Sequence, residues 1–199
     1  MQPQIPSPPP IPGLPHYAYR AKDAEETRHF YEDILGLPLY HIIQSDHVPS
    51  TGEYCPYTHF FFRLGDGSYI AFFDLGDDEA ALPSPNTPAW VNHIAFSVPT
   101  LADLTAMKTR LEAHGIDVIG VTDHHVFKSI YFFDPNGVRL ELSYQIASAQ
   151  AMQKESTFAR QRLNEWTARK NQWRAERAAN PSSADKLKPQ QNDRPELNH

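Results

Sequence analysis

Thr122 to Glu141, T-D-H-H-V-F-K-S-I-Y-F-F-D-P-N-G-V-R-L-E, is the stretch that decides the fold of this 199-residue chain. Residues 134–137 (Asp-Pro-Asn-Gly) have the composition of a tight turn, so the stretch predicts a strand, a turn and a second strand. The second strand contains Leu140-Glu141-Leu142, which places a carboxylate in an apolar run. A buried carboxylate is tolerated when it is paired or bound to a metal ion.

Two histidines at the starts of apolar stretches are candidate partners for Glu141. His16 opens H-Y-A-Y-R, and His93 opens H-I-A-F-S-V. Two histidines and one carboxylate form the facial set of ligands that holds non-haem Fe(II) and leaves other coordination positions open. We therefore predict a metal site made by His16, His93 and Glu141.

The body of the chain repeats one pattern of elements. In the first copy we expect a strand, a helix capped by Asp23 and ended by Gly36, and strands at 39–43, 58–64 and 68–75. In the second copy we expect a strand, a helix capped by Thr100 and ended by Gly115, and strands at 116–121, 126–133 and 138–143. The repeat predicts an α+β fold of two paired βαβββ modules that form a cupped mixed sheet.

The repeat also predicts which positions are equivalent in the two copies. Aligning Gly67-Ser68-Tyr69-Ile70-Ala71 with Gly137-Val138-Arg139-Leu140-Glu141 places Ala71 at the position of Glu141. His16 and His93 are equivalent in the same way. Four related positions therefore hold His, Ala, His and Glu, which gives three ligands and one gap.

Composition divides the chain into four parts. Seven of the 18 prolines fall in residues 1–15, so we expect a Pro-rich arm over 1–14. One domain then spans 15–145, with modules at 15–81 and 89–145. A polar, helix-favouring segment over 146–179 predicts a helical extension, through which we expect a homo-oligomer to form. Residues 180–199 have a composition typical of disorder.

Charge and cysteine content exclude several classes of function. The net charge of −6 offers no basic surface for nucleic acid or an anionic membrane. No stretch approaches the roughly 18 consecutive apolar residues of a membrane span. The single cysteine, Cys55, excludes an intrachain disulfide and is typical of a reducing compartment, so we expect a cytoplasmic protein.

The duplicated pattern resembles the vicinal oxygen chelate superfamily, which includes glyoxalase I, fosfomycin-resistance thiol transferases, bleomycin-binding proteins and type I extradiol dioxygenases. The resemblance covers about residues 14–145. Members place metal ligands at the four related positions, and extradiol dioxygenases leave one of them empty. The motif Thr122-x-His124-x5-Ile130-Tyr131-x2-Asp134-Pro135-x-Gly137-x3-Glu141 is also similar to the extradiol ring-cleavage signature at every specified position.

The resemblance implies an Fe(II)-dependent dioxygenase that cleaves a catechol-type ring with O2 to a ring-opened semialdehyde. Mn(II) or another divalent metal is the alternative cofactor, and the partners are a small aromatic substrate and O2. Tyr131 matches the family tyrosine that hydrogen-bonds the substrate, and His124 matches the signature histidine that donates to a substrate oxygen.

One departure from the family pattern concerns the acid–base group. The larger extradiol enzymes have a histidine at the start of the strand that begins here near Ser68, and this chain has none there. His59 points to the same face if the strand register pairs it near Phe73, whereas a slip of one residue turns it away. Either His59 or His124 is therefore expected to transfer the proton.

Two other functions are consistent with the same scaffold. The first is a metal-dependent lyase, epimerase or thiol transferase that uses Mn, Ni, Co or Zn; Ala71 argues against the isomerases with four ligands. The second is a non-catalytic binder of a flat aromatic compound, which has no need of three convergent ligands.

Overall fold

A computed structural model of the chain describes residues 8–179, so residues 1–7 of the predicted arm and the predicted disordered tail at 180–199 lie outside the described residues. The chain divides between Ala81 and Leu82 into two compact units. Each unit contains a four-stranded mixed sheet, in which one pair of neighbouring strands is parallel and the others are antiparallel. This is the α+β arrangement that the repeat predicts.

The first unit has the expected order of elements. They are β1 (His16–Ala21), α1 (Ala24–Arg28), which continues as a π-helix (His29–Ile34), β2 (Leu39–His47), β3 (Tyr54–Arg63) and β4 (Tyr69–Asp74). The strands lie in the order β1-β4-β3-β2. The side chain of Asp23 accepts a hydrogen bond from the Glu26 amide at 2.7 Å, as the capping pattern predicts.

Aromatic side chains form the core of the first unit. Tyr31, from the π-helix, is fully buried, and its ring centroid lies 5.2 Å from that of Phe62 and 4.9 Å from that of Phe72. Strand neighbours point to opposite faces of a sheet. Phe61 and Ala71, which directly precede Phe62 and Phe72, therefore point to the other face. That other face holds the candidate site residues of the unit.

The second unit repeats the plan. Its elements are β5 (Ile94–Ser97), α2 (Leu101–Ala113), β6 (Ile119–Asp123), β7 (Phe127–Phe133), β8 (Arg139–Gln145) and α3 (Ala149–Ala179). The strands lie in the order β5-β8-β7-β6. Thr100 caps α2 by accepting from the Asp103 amide at 3.0 Å. Leu104 and Leu111 of α2 are fully buried, and the helix packs on β7 and β8.

The strand registers confirm the predicted equivalence between the copies. Ala18 pairs with Ala71 in the first unit, and Ala95 pairs with Glu141 in the second. These pairs lie two residues after His16 and His93, respectively. Ala71 therefore occupies the position that Glu141 has in the second unit.

Predicted and observed boundaries differ most in β2, β3 and β6. β3 begins at Tyr54 instead of Thr58, because it pairs with the longer β2. β2 continues to His47 instead of ending near Ile43, because it stays paired with β3 as far as Tyr54. β6 begins at Ile119 instead of Ile116, because the Ile116 amide closes the end of α2 by donating to the Leu111 carbonyl at 3.1 Å. Gly115, at φ 76°, makes this helix ending possible.

α3 is the predicted helical extension. It has 31 residues and none of them is buried. The rings of Trp166 and Trp173, which the spacing places on one face, lie 5.5 Å apart. Across the described part of the chain, none of the helices has the length and apolar character needed to cross a membrane.

Candidate functional site

His93 and Glu141 meet in the second unit. His93 lies directly before β5, and its Nε2 atom is 3.0 Å from Oε2 of Glu141 on the neighbouring strand β8. Nδ1 of His93 lies 3.0 Å from the Val91 carbonyl oxygen. A carbonyl only accepts, so we assign the ring proton to Nδ1, and Nε2 of the neutral ring then directs a lone pair at Glu141.

The donor chemistry of this pair fits a divalent metal. With Nδ1 donating to Val91, the Nε2 atom of His93 and the Oε2 atom of Glu141 converge on one point, which a proton or a divalent metal ion would occupy. Metal-binding histidines typically donate their second ring N–H to a carboxylate or a backbone carbonyl, and Val91 supplies such a carbonyl. Glu141 is 8% exposed, so an uncompensated charge at this position is costly.

A cavity of about 400 Å³ opens beside Glu141. Phe96 and Phe127 are among its lining residues, together with Ser143 and Gln145 from the same strand as Glu141. A mostly apolar wall with a few polar groups is the usual character of a small-molecule site. The volume and the aromatic lining are suitable for a compound with one or two rings.

Tyr131 and His124 form a second polar pair in the same unit. Nε2 of His124 lies 2.7 Å from the Tyr131 hydroxyl oxygen. Tyr131 pairs directly with Glu141 across the β7–β8 ladder, and its ring centroid lies 6.2 Å from that of His93. Burial raises the pKa of Tyr131, and the charge of Glu141 raises it further. The phenol therefore stays protonated near neutral pH and is able to donate a hydrogen bond.

Arg139 is a site residue that sequence reasoning missed. Its guanidinium carbon lies 4.5 Å from the ring centroid of Tyr131, a cation–π contact. Its Nε atom is buried and has no hydrogen-bond partner among the described residues. The position was detectable, because Arg139 is two residues before Glu141 on one strand and therefore shares its face.

His16 and His59 lie close together in the first unit. Their ring centroids are 6.0 Å apart, and each ring also contacts Phe61. His16, at the start of β1, lines a cavity of about 290 Å³ with Tyr40, His41 and Tyr69 among its other lining residues. Phe61 occupies the position that Tyr131 has in the second unit, since it pairs with Ala71.

The register of His59 agrees with the orientation that its predicted role requires. His59 pairs with Phe73, and the two rings stack at 3.7 Å. Its Nδ1 lies 2.9 Å from the Phe72 carbonyl oxygen, which leaves Nε2 as the proton acceptor of the neutral ring. Burial lowers the pKa of His59, so the neutral form is favoured.

The three predicted metal ligands come from both units, with His16 in the first and His93 and Glu141 in the second. Taken within either unit, the described side chains include no cluster of three or more His, Cys, Asp or Glu residues that could hold a metal ion. The contact between His93 and Glu141 is thus the part of the predicted triad that the structure describes directly. The place of His16 in it stays a prediction.

Comparison with known proteins agrees with this fold. A model of the Glyoxalase/Bleomycin resistance protein/Dioxygenase superfamily matches residues 13–142, which is more than half of the chain. The protein therefore belongs to this superfamily, as the duplicated pattern predicts. The Frankia sp. EAN1pec domain of the same description is 17% identical, with a TM-score of 0.58 over 72% of this chain and 99% of that one.

Two relatives are dioxygenases by name. Biphenyl-2,3-diol 1,2-dioxygenase 3 of Rhodococcus globerulus is 29% identical over 133 residues, 66% of this chain and 62% of the relative. The putative ring-cleaving dioxygenase MhqA of Bacillus subtilis strain 168 is 27% identical over 120 residues, 60% of this chain and 35% of the relative. The chain thus matches less than two thirds of the length of each relative.

A solved fosfomycin-resistance protein shares the fold. FosX from Listeria monocytogenes, determined in complex with Mn(II) and sulfate, is 22% identical and has a TM-score of 0.50 over 71% of this chain and 98% of that one. At this identity the likeness shows the common fold and does not extend to the reaction.

Proposed function

We propose that the protein is an Fe(II)-dependent extradiol dioxygenase, which cleaves a catechol-type ring with O2 to a ring-opened semialdehyde. The observation on which the proposal rests is the convergence of His93 with Glu141. Tyr131 and His124 lie next to this pair in the same unit. The names of the two dioxygenase relatives support the same class of reaction.

In this proposal His93 and Glu141 hold the metal together with His16 as the third ligand. Ala71, at the position equivalent to Glu141, has no donor atom and so leaves a coordination position open. Bound Fe(II) would supply a centre at which catechol oxygens and dioxygen meet and exchange electron density. Mn(II) or another divalent metal is the alternative, because the same donors bind several ions of this group.

The remaining residues bind the substrate and move its protons. Tyr131, kept protonated, donates a hydrogen bond to a substrate oxygen. His124, whose Nε2 contacts the Tyr131 hydroxyl, is the acid–base group that we assign in this unit: the Tyr131 hydroxyl passes a substrate proton on to Nε2, and His124 then donates back to the Tyr131 oxygen. His59 in the first unit is the alternative acid–base group, because its neutral ring has an acceptor at Nε2. Phe96 and Phe127, in the apolar wall of the cavity, would pack against the substrate ring.

The test is turnover of catechols by protein reconstituted with Fe(II) without air. Catechol, methylcatechols, dihydroxybiphenyl and protocatechuate are screened for oxygen uptake together with a yellow product. We expect turnover that disappears in His93→Ala and Glu141→Ala and persists in His114→Ala, which removes an exposed histidine at the end of α2. Bound iron without oxygen uptake on any catechol would reject the dioxygenase and favour a lyase, epimerase or thiol transferase.

A further inference from the structure

α3 is long and has no packed face. At about 1.5 Å per residue, its 31 residues extend for roughly 46 Å. None of these residues is buried, although Phe158, Leu163 and Trp166 are large apolar side chains that are 40%, 53% and 49% exposed. Helices in proteins are stabilised mainly by packing an apolar face against another surface. We therefore expect the exposed apolar side chains of α3 to pack on a partner.

The apolar side chains of α3 share their face with positive charges. The guanidinium of Arg169 lies 4.7 Å from the Trp173 ring centroid. That of Arg162 lies 5.8 Å from the Phe158 ring centroid and is also paired with Glu155 of the same helix. Residues 149–179 contain seven Lys or Arg and three Glu, a net charge of +4. A membrane-binding helix keeps its cations on the polar face, opposite the apolar one. The mixed face of α3 is suited instead to a protein surface that is both acidic and apolar.

The first unit of the chain has a surface of this kind. Residues 8–81 contain 12 acidic and four basic side chains, a net charge of −8. Two of those bases, Arg20 and Arg28, are already in ion pairs with acids of the same unit. The unit as a whole therefore attracts a basic partner.

The edge of the first sheet combines exposed apolar groups with acids. β2 is an edge strand, and its Ile42 is 49% exposed, while Tyr54 at the start of β3 is 70% exposed. Asp46 and Glu53 flank the β2–β3 turn, are exposed, and make no ion pair with any described residue. An exposed edge strand with apolar side chains is a template for association unless something covers it.

We propose that α3 of one copy of the chain docks along the β2–β3 edge of the first unit of a second copy. The charges are complementary, since α3 carries +4 and the unit that contains the edge carries −8, with Asp46 and Glu53 at the edge itself. Both surfaces also expose large apolar groups. β2 has nine residues, which span roughly 30 Å at about 3.3 Å per residue, so α3 is long enough to cover it. A two-fold arrangement would make both such contacts at once.

The test is sedimentation of the full chain at micromolar concentration. We expect a dimer whose dissociation constant increases with salt, because screening weakens the attraction between the charges. Leu163→Glu on α3 and Ile42→Glu on β2 should each raise the dissociation constant at least about tenfold. Asn164→Glu is the matched control, because it adds the same charge on the opposite side of α3. Asn164→Glu should leave the dissociation constant of the dimer within about threefold of the wild-type value. Far-UV circular dichroism confirms that each variant is folded.

Charge exchange identifies the surface that α3 contacts. Asp46→Lys with Glu53→Lys should weaken the dimer, and Arg162→Glu with Arg169→Glu in the same chain should restore it. A wild-type chain that is monomeric would overturn the proposal, and so would a dimer that responds to the α3 variants but not to Asp46→Lys with Glu53→Lys. Binding of the monomer to anionic vesicles or RNA in place of a second copy would also reject it.

Discussion

Tyr131 and Glu141 are direct partners across the β7–β8 ladder, and Phe61 and Ala71 occupy the same two positions of the first unit. The backbone plan is therefore repeated, whereas this polar pair is present only in the second copy. A phenol beside a carboxylate offers a hydrogen-bond donor and an acceptor, and a phenyl beside a methyl offers only packing. Most of the candidate site residues accordingly lie in the second unit.

Loss of Glu141 should abolish tight metal binding. In Glu141→Gln we expect Mn(II), used as an air-stable probe, to bind more than about 100-fold more weakly, since removal of an outer partner alone typically costs 10–100-fold. Calorimetric titration and metal analysis after dialysis measure the effect without any need for turnover. Glu112→Gln, which changes an exposed carboxylate of α2, is the control. Unchanged affinity in Glu141→Gln would remove Glu141 from the set of ligands.

Tyr131→Phe should reduce kcat with little effect on stability. The variant keeps the ring and loses the hydroxyl that contacts His124, so we expect a decrease of about 10²-fold, within the range for general acid–base groups. Tyr144→Phe is the control, because Tyr144 lies on the opposite face of β8. Equal kcat values in the two variants would show that the Tyr131 hydroxyl has no part in the reaction.

Arg139 should orient the Tyr131 ring. Removing its guanidinium in Arg139→Met leaves the ring face without its cation, and a cation–π contact of about 0.5–2 kcal/mol corresponds to a roughly 2- to 30-fold decrease in kcat. Arg139→Lys keeps the charge and should recover part of the loss. The measurement is kcat and KM separately, because a role in substrate binding alone would raise KM and leave kcat unchanged.

The ion pairs of Arg28 should make stability depend on acid pH. The Arg28 guanidinium, and then His29, lower the pKa of Asp33 from 3.8 to about 2. Because the folded state has the lower pKa, this stabilisation is complete above about pH 4 and is lost as the pH falls toward 2.

In Arg28→Gln we therefore expect the difference from the wild type in free energy of unfolding to be largest above pH 4 and to close toward pH 2. Urea unfolding across this range measures it. Arg63→Gln is the control, because Arg63 is in no ion pair with a described residue and its variant should show no such closing. If the free energy of unfolding of Arg28→Gln differed from that of the wild type by the same amount at every pH, the ion pair of Arg28 with Asp33 would not be the source of the pH dependence.

Local signals predicted much of the fold. Asp23 and Thr100 cap their helices as expected, and the turn at 134–137 forms with the Asp134 carboxylate accepting from the Asn136 and Val138 amides. These features depend on neighbours within a few residues, which a sequence displays directly. The equivalence of Ala71 and Glu141 followed from the repeat, because equal spacing within two copies implies equal registers.

Features that depend on tertiary contacts were less accessible. The extra length of β2 comes from its pairing with β3, and the ring contact of Arg139 depends on rotamers on neighbouring strands. The face of the sheet to which His59 points depends on the pairing of β3 with β4 to within one residue, and the sequence of one strand leaves this pairing open. The assignment of His16 as the third ligand stays a prediction, because it joins residues of two separate units.

The orientation of His93 is set by the main chain. Its Nδ1 is held by the carbonyl of Val91, two residues earlier, and every amino acid at position 91 would present the same carbonyl. Genetic drift at that position can change the side chain without releasing the imidazole. Substitutions at position 91 should therefore leave the direction of the His93 Nε2 atom unchanged, whatever side chain they introduce.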